Sequence, residues 1–192
     1  MRGQSLFSFG DVSICSLHAT KVFHTVEGGC IFSNDNNILN KMKILRAFGH
    51  VNDVYIDYGI NAKLSELHAA MGLAVLKNFD ANIEKRRAVV NLYNSLVPSK
   101  YKRPLSHAEQ TLNYAYYPII FEDETHLLAA LEKFKAHKIF PRRYFYPSCN
   151  TMPYLKDKMP CPISEDISKR VLCLPLYGDL APELVEQIVS CL

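Results

Sequence analysis

Ser16-Leu17-His18-Ala19-Thr20-Lys21, followed closely by Glu27-Gly28-Gly29, is the stretch from which the fold can be worked out. The apolar pattern over residues 11–18 predicts a largely buried strand. Residues 30–33 predict a second strand, and the connection between the two turns at the paired glycines, which tolerate unusual backbone angles. Such an arrangement would hold one primary amine, that of Lys21, rigidly at the edge of a sheet.

Lys21 has two interpretations. Most lysines in a chain with 22 lysines and arginines are solvated surface charges. Thr20, Val22 and Phe23, however, form an unusually apolar setting for such a residue. An amine that is partly removed from water can act as a nucleophile near neutral pH. Both interpretations remain open from the residues alone.

Ser16 belongs to the same stretch. Side chains alternate along a strand, so Ser16 and His18 would share the face opposite Cys15 and Leu17. A hydroxyl group there could bind a phosphate, or it could bond to the neighbouring backbone. His18 is equally consistent with a core or rim position and with a contact to a ligand ring.

The rest of the chain alternates between helix and strand signals, which predicts α/β layering. Residues 50–60 show no period and are predicted to form a loop. Residues 99–113 are polar and irregular, which predicts a boundary between domains 1–105 and 106–192. The first predicted helix runs from a cap at Asn34 or Asp35 to near Gly49, and a longer one covers 65–96 with a bend near 78–80. Three more helices are predicted over 125–138, 164–172 and 182–190. Two further strands are predicted over 116–121 and 143–146.

Two further segments could bind anions. Ser65 or Asn61 could cap the helix that follows, and Asn61 could equally offer its amide to an anion at the helix start. The run Arg142-Arg143-Tyr144-Phe145-Tyr146-Pro147 combines two guanidinium groups with three rings. It could be a sheet edge with exposed arginines, or a wall that pairs with a diphosphate and stacks on a sugar or base.

Composition excludes several classes of protein. Hydrophobic residues make up 48% and charged residues 21%, which is typical of a soluble globular protein. The net charge of +3 is too small to indicate nucleic-acid binding. The scattered cysteines and histidines lack metal-ligand spacing, so no metal site is predicted. Without a signal peptide or a membrane-spanning run, the sequence predicts a cytoplasmic protein that does not bind membranes.

Three segments together resemble the DegT/DnrJ/EryC1/StrS family of sugar aminotransferases, which are fold-type I pyridoxal-phosphate enzymes acting on nucleotide-linked keto-sugars. They are the opening stretch, Gly59-Ile60-Asn61-Ala62-Lys63-Leu64-Ser65-Glu66-Leu67-His68-Ala69-Ala70, and Leu172-Cys173-Leu174-Pro175-Leu176-Tyr177. The Arg142 to Pro147 run looks most like members that aminate dTDP-linked 3-keto-6-deoxyhexoses. The resemblance covers nearly the whole chain, in the family's order.

The resemblance implies a role for each candidate residue. Lys21 would bond to the cofactor aldehyde and move a proton during transamination, with glutamate as the amino donor, and Ser16 would bind the cofactor phosphate. Asn61 would reach the phosphate of a partner subunit, which implies a dimer with shared sites. Arg143, Tyr144 and Tyr146 would contact the nucleotide-sugar. A related branch of dehydratases has histidine at the lysine position, so lysine favours transamination.

The resemblance also implies a partial enzyme. In the family, the glycine-rich phosphate loop, the aromatic residue that stacks on the cofactor ring and the aspartate that pairs with its nitrogen all precede the lysine strand. The chain therefore resembles the end of the large domain followed by the small C-terminal α/β domain, and is expected to need a homodimer partner or a separate N-terminal half. The alternatives are a non-catalytic remnant and an α/β module that binds anionic nucleotides through Arg142 and Arg143.

Overall fold

A computed structural model describes residues 3–105 and 107–192 of the chain. These residues form two units, each with its own internal contacts. Unit 1 contains the described residues of 1–79 together with 108–112, and unit 2 contains those of 80–107 and 113–192. Residues 1, 2 and 106, which include the predicted start of the second domain, lie outside the described residues.

Unit 1 is built on an antiparallel hairpin in which Ser13 pairs with Phe32 and Ser16 pairs with Gly29. The predicted strand is shorter than expected and is not buried, since Ile14 is 77% exposed. The elements of unit 1 are strands β1 (Ser13–Ser16), β2 (Gly29–Phe32), β3 (His50–Val51) and β4 (Val54–Tyr55), helices α1 (Asn36–Leu45) and α2 (Glu66–Lys77), and a 3₁₀ turn at Leu6–Ser8.

Both helix starts in unit 1 follow from capping chemistry. The Asp35 carboxylate accepts a hydrogen bond from the Asn37 N–H at 2.7 Å, so Asp35 is the cap of α1. The Ser65 hydroxyl accepts from the His68 N–H at 3.3 Å and caps α2. Asn61, the other candidate for a cap in this region, does not cap the helix.

The prediction of a loop over residues 50–60 was wrong, because β3 and β4 pair there as a small antiparallel hairpin. The hairpin depends on two glycines at its base. A Cβ atom on Gly49, which has a φ of +75°, would lie 2.0 Å from the Asp57 carbonyl oxygen, and one on Gly59 would lie 2.1 Å from the Gly49 nitrogen. Only glycine allows these two backbone segments to approach so closely.

The long predicted helix is interrupted at Asn78. Here α2 ends, and the Asn78 N–H turns back to the Val75 carbonyl at 3.1 Å. Helix α3 (Phe79–Leu96) then begins, and it stops before Pro98 as the sequence predicts.

Unit 2 packs helices around a two-stranded antiparallel sheet. Strand β5 (Tyr117–Ile120) pairs with β6 (Val171–Leu174), and α4 (Glu124–Ala136), α5 (Pro162–Arg170) and α6 (Pro182–Ser190) complete the unit with α3. The core side chains with less than 2% exposure are Tyr93, Tyr117, Ile119, Leu127, Phe134, Leu172 and Val185.

Two predictions in unit 2 need correction. The helix predicted over 164–172 ends at Arg170, and the four buried residues of β6 follow as a strand because they pair with β5. The strand predicted over 143–146 is instead a turn that follows a single bridge between Arg142 and Cys173.

The division between the units also differs from the predicted boundary at 105/106. It falls within α3, because Val89, Val90 and Tyr93 of that helix are buried in the core of unit 2. None of the described helices combines the length and the apolar character needed to cross a lipid bilayer.

Candidate functional site

Residues 17–28, which connect β1 to β2 and are called the lysine loop here, carry the predicted reactive amine. Backbone hydrogen bonds close the loop at its base, where the Leu17 N–H donates to the Gly28 carbonyl and the Thr25 N–H donates to the Leu17 carbonyl, both at 2.9 Å. A tighter turn lies inside it, because the Lys21 N–H donates to the His18 carbonyl at 2.9 Å. The loop is therefore fixed by its own backbone.

Thr25 fastens the lysine loop to the rest of unit 1. Its side chain is almost completely buried, and the hydroxyl donates to the Glu27 carbonyl at 2.7 Å. Its methyl group lies against Gly72 of α2, where a Cβ atom would be only 2.8 Å from Thr25 Cγ2. A glycine in the middle of an apolar helix is thus explained by the close approach of the loop.

Replacing Thr25 by valine is expected to loosen the lysine loop. Valine keeps the shape of threonine but removes the hydrogen bond to the Glu27 carbonyl, and a typical hydrogen bond contributes about 0.5–1.5 kcal/mol. We expect faster amide hydrogen exchange at Lys21 and Thr25, with no change in α4.

Thr20→Val is the matched control, because Thr20 lies in the same loop but is exposed, and among the described residues its hydroxyl pairs only with His18 Nδ1, at 2.9 Å. It should change exchange at these amides far less. Equal effects of the two substitutions would contradict the role of Thr25.

Lys21 lies on the exposed side of this loop. It does not directly follow a buried strand as predicted, because β1 ends at Ser16, five residues earlier. Its neighbour Val22 is buried, whereas the lysine side chain is exposed and forms no hydrogen bond or ion pair within the described part of the chain. The amine is thus carried on a fixed backbone and is available to a ligand.

Ser16 has the predicted orientation. It is exposed while Leu17 is buried, as strand alternation requires. Its hydroxyl oxygen accepts from the His18 N–H at 3.4 Å. The His18 ring also lies 3.4 Å from a carboxylate oxygen of Glu27, so the two ends of the lysine loop are joined by a second polar contact.

Asn61 belongs to unit 1 as well, on an antiparallel bridge with Ala47. The next residue, Ala62, donates its N–H to the Arg46 carbonyl at 2.9 Å. The Asn61 side chain is exposed and projects from a segment whose backbone is bonded on both sides.

These unit 1 residues fit one part of the group that the resemblance implies. A primary amine without a partner among the described residues suits an aldehyde carbon. The Ser16 hydroxyl, whose proton is donated to no described residue, suits a phosphate oxygen. The residues present therefore fit the aldehyde and phosphate ends of pyridoxal phosphate.

Arg143, in unit 2, is held by protein contacts on several sides. Its Nη2 atom donates to Glu124 Oε1 at 2.7 Å and to the Lys169 carbonyl at 2.8 Å, and its guanidinium carbon lies 3.8 Å from the centre of the Tyr146 ring. The Nε atom of Arg143 is buried and has no hydrogen-bond partner among the described residues. That buried N–H is an unused donor, and Nη1 also donates to no described residue.

Three aromatic rings cluster around Tyr144. The ring of Tyr116 lies 5.0 Å from that of Tyr144 and 5.7 Å from that of Phe145, measured between centroids. Burial raises the pKa of the Tyr116 phenol, as does the neighbouring Tyr144, so the hydroxyl stays protonated. Tyr146 lies apart from this cluster, against Arg143.

Sequence reasoning missed two supporting residues. Thr25 could have been noticed as the one polar residue other than histidine between Val22 and Val26. Glu124 gives no sequence signal, because it is nineteen residues from its partner Arg143 and pairs with it only through the fold.

The chain matches the DegT/DnrJ/EryC1/StrS aminotransferase family over residues 1–192. Two curated relatives are each a dTDP-4-amino-4,6-dideoxy-D-glucose transaminase. The one from Shigella dysenteriae is 33% identical over 194 residues, which cover 97% of this chain and 53% of the relative. The one from Escherichia coli is 34% identical over 176 residues, which cover 86% of this chain and 47% of the relative.

A solved structure of DesI, determined in the presence of its TDP-sugar product, matches with a TM-score of 0.86 and 28% identity, over 98% of this chain and 50% of that one. This chain therefore spans about half the length of the proteins it matches. Members of the family and the similar solved structures are pyridoxal-phosphate-dependent enzymes. The predicted fold class, the C-terminal part of a fold-type I transferase, is confirmed, and the chain belongs to the DegT/DnrJ/EryC1/StrS aminotransferase family.

Proposed function

We propose that this chain contributes the lysine-bearing part of a sugar aminotransferase, which moves an amino group from glutamate to a nucleotide-linked keto-sugar. The observation that carries the proposal is the position of Lys21. Its amine has no partner among the described residues and stands on a loop closed by hydrogen bonds, in a chain that matches an aminotransferase family throughout.

Each unit 1 residue has a distinct task in this proposal. Lys21 would hold the aldehyde end of the cofactor through its amine and, as a free amine, would move a proton between two carbon atoms. Ser16 donates its hydroxyl proton to the cofactor phosphate. Asn61 offers its amide to the phosphate of a partner subunit. Pyridoxal phosphate, when bound, supplies an electron sink for the carbon that loses its proton.

The rest of the site would come from outside this chain. We propose that unit 1 is the end of the large cofactor-binding domain, that unit 2 is the small domain, and that the active assembly is a homodimer or an association with an N-terminal half. The fraction of each relative that this chain covers supports this proposal.

The substrate is proposed to be a dTDP-linked 6-deoxyhexose. The names of both transaminase relatives describe a dTDP-linked dideoxyglucose that is aminated at carbon 4. The resemblance of the Arg142 to Pro147 run to members that aminate 3-keto-6-deoxyhexoses implies a keto group at carbon 3 instead.

The test is amino transfer by this chain co-expressed with a polypeptide covering the part of the relatives that it does not match. The acceptors are dTDP-hexoses with the keto group at carbon 3 or at carbon 4. The position of the new amine in the product identifies the substrate, and no amino sugar from either acceptor would defeat the proposal.

Arg143 is proposed to contact the substrate diphosphate. Its side chain keeps 20% exposure and its Nη1 group donates to no described residue, so an anionic oxygen can bind there. We expect Arg143→Ala to weaken dTDP binding about 10–100-fold, because hydrogen bonds to charged groups contribute about 1.5–3 kcal/mol. Isothermal titration with dTDP measures the change.

Two control variants separate binding from stability. Arg142→Ala removes the neighbouring exposed guanidinium and should leave dTDP affinity nearly unchanged. Glu124→Gln breaks the ion pair but keeps the arginine, so a purely structural role predicts that it weakens dTDP binding as much as Arg143→Ala does. That result would remove Arg143 from the substrate site.

A further inference from the structure

Cys15 and Cys30 face each other across the β1–β2 hairpin. They are Cα partners in the antiparallel register, so their side chains project from the same face of the sheet. Both are free thiols, and each is half-buried. Nothing in the proposed transamination uses either sulfur atom.

Each pair of directly opposed residues in the hairpin is called a rung here. The Cα–Cα distance of the Cys15–Cys30 rung follows from the hydrogen-bond pattern. Leu17 and Gly28 are opposed two residues beyond Cys15 and Cys30. The Leu17 N–H donates to the Gly28 carbonyl, so the Leu17–Gly28 rung is hydrogen-bonded. Bonded and non-bonded rungs alternate, which makes Cys15–Cys30 a hydrogen-bonded rung with a Cα–Cα distance of about 5.5 Å. Disulfides form at Cα–Cα distances of about 4.4–6.8 Å.

The Cβ atoms of directly opposed residues are about 4.5–5.5 Å apart, whereas a relaxed disulfide needs about 3.8 Å. Closing the bond would therefore draw the two strands together locally and would end the weak contact of Cys15 Sγ with the Ser16 carbonyl. A strained disulfide has a more oxidising potential and is easily reduced again. The geometry is that of a reversible bond.

We propose that Cys15 and Cys30 form a redox pair that closes to a disulfide on mild oxidation and thereby strains the base of the lysine loop. A thiolate of the pair attacks oxidised glutathione, forms a mixed disulfide and releases one glutathione thiolate. The second protein thiolate then attacks that mixed disulfide and releases the other glutathione. Two protein thiols are oxidised, and one glutathione disulfide is reduced to two thiols.

The neighbouring rung transmits the strain. Gly29 pairs with Ser16, and a Cβ atom on Gly29 would already lie 3.2 Å from the Cys15 carbonyl oxygen. The next rung, between Leu17 and Gly28, closes the lysine loop. Because Leu17 is only two residues from Cys15 along the same segment, a shift of Cys15 displaces the loop base. The redox pair is independent of the proposed transaminase activity.

The other cysteines provide internal comparisons. Burial raises the pKa of the Cys173 thiol to about 11, so it is mostly protonated and unreactive near neutral pH. Cys149 and Cys161 are exposed and can form mixed disulfides with glutathione. A variant with both replaced by serine removes this competing reaction and leaves the β1–β2 pair intact.

The test treats the full chain with oxidised glutathione and maps its peptides without reduction. We expect a cross-link between the peptides of Cys15 and Cys30 and faster amide exchange at Leu17, and in the Cys149→Ser/Cys161→Ser variant the loss of two titratable thiols. The cross-link should persist in the Cys149→Ser/Cys161→Ser variant, disappear in Cys15→Ser, and reverse with excess reduced glutathione.

Two results would overturn the proposal. Glutathione adducts on Cys15 and Cys30 without a cross-link would show that the pair does not close. A cross-link that leaves Leu17 exchange unchanged would show that the rung does not act on the lysine loop. Both readouts are made on the unsubstituted chain, so neither depends on how well a variant folds.

Discussion

Replacement of Lys21 by alanine is expected to abolish covalent capture of pyridoxal phosphate and to lower amino transfer by at least about 10²–10⁴-fold. The amine of Lys21 is the group proposed to bond to the cofactor and then to move a proton, and positioned acid–base groups alone contribute about 10²–10⁴-fold. Borohydride reduction followed by peptide mapping identifies the modified lysine. The assay uses the chain together with the co-expressed N-terminal part.

The stability of the Lys21→Ala variant distinguishes chemistry from folding. Because the lysine side chain is exposed and makes no described contact, the free energy of unfolding should change by no more than about 0.5 kcal/mol. Lys41→Ala, an exposed lysine on α1, is the matched control and should retain both capture and activity. A label on another lysine, or amino transfer that survives Lys21→Ala, would refute the proposed site.

Replacement of Phe134 by alanine is expected to have the largest effect on stability. Phe134 lies on α4 with 0% exposure and belongs to the core of unit 2. Removing a buried phenylalanine ring costs about 3–5 kcal/mol, a large part of the ~5–15 kcal/mol that stabilises a typical domain. Denaturant unfolding, combined with amide exchange in β5 and β6, measures the loss for unit 2.

Phe140→Ala provides the control, because Phe140 follows α4 and is 72% exposed. Its loss should change the free energy of unfolding by about 0.5 kcal/mol or less. If both substitutions destabilise unit 2 equally, the assignment of Phe134 to the core is wrong. If Phe134→Ala slows amide exchange in β5, the same conclusion follows.

The features that the sequence predicts well are those decided by neighbours in the chain. The caps at Asp35 and Ser65 act on N–H groups two or three residues away, so residue type and spacing are sufficient. Pro98 ends α3 for an equally local reason, because it cannot continue the hydrogen-bonding pattern. The strand alternation that exposes Ser16 and buries Leu17 is also local.

The features that the sequence misplaced depend on distant partners. The run Val171–Leu174 could have continued the preceding helix, and its pairing with β5, some fifty residues earlier, makes it a strand. The small hairpin of β3 and β4 depends on the contact between Gly49 and the backbone of residues 57–59. Neither partner is visible in a local window of sequence.

The residues of the candidate site likewise divide into those that the sequence indicates and those that depend on distant partners. The stretch around Lys21, the segment that carries Asn61 and the run from Arg142 to Pro147 were sufficient to indicate the family and the candidate residues, because side-chain chemistry and order along the chain carry that information. The Glu124 partner of Arg143 and the fastening of Thr25 against Gly72 were not predictable.

The sequence by itself therefore determined the family, the helix boundaries set by caps and proline, and which side chains carry the chemistry. Only the tertiary structure decided that the lysine stands on a loop instead of at a strand end, and that Arg143 is held by Glu124 and the Lys169 carbonyl. The physical reason is the distance along the chain over which each interaction acts. Caps and turns act over a few residues, whereas pairing and packing join segments that meet only after folding.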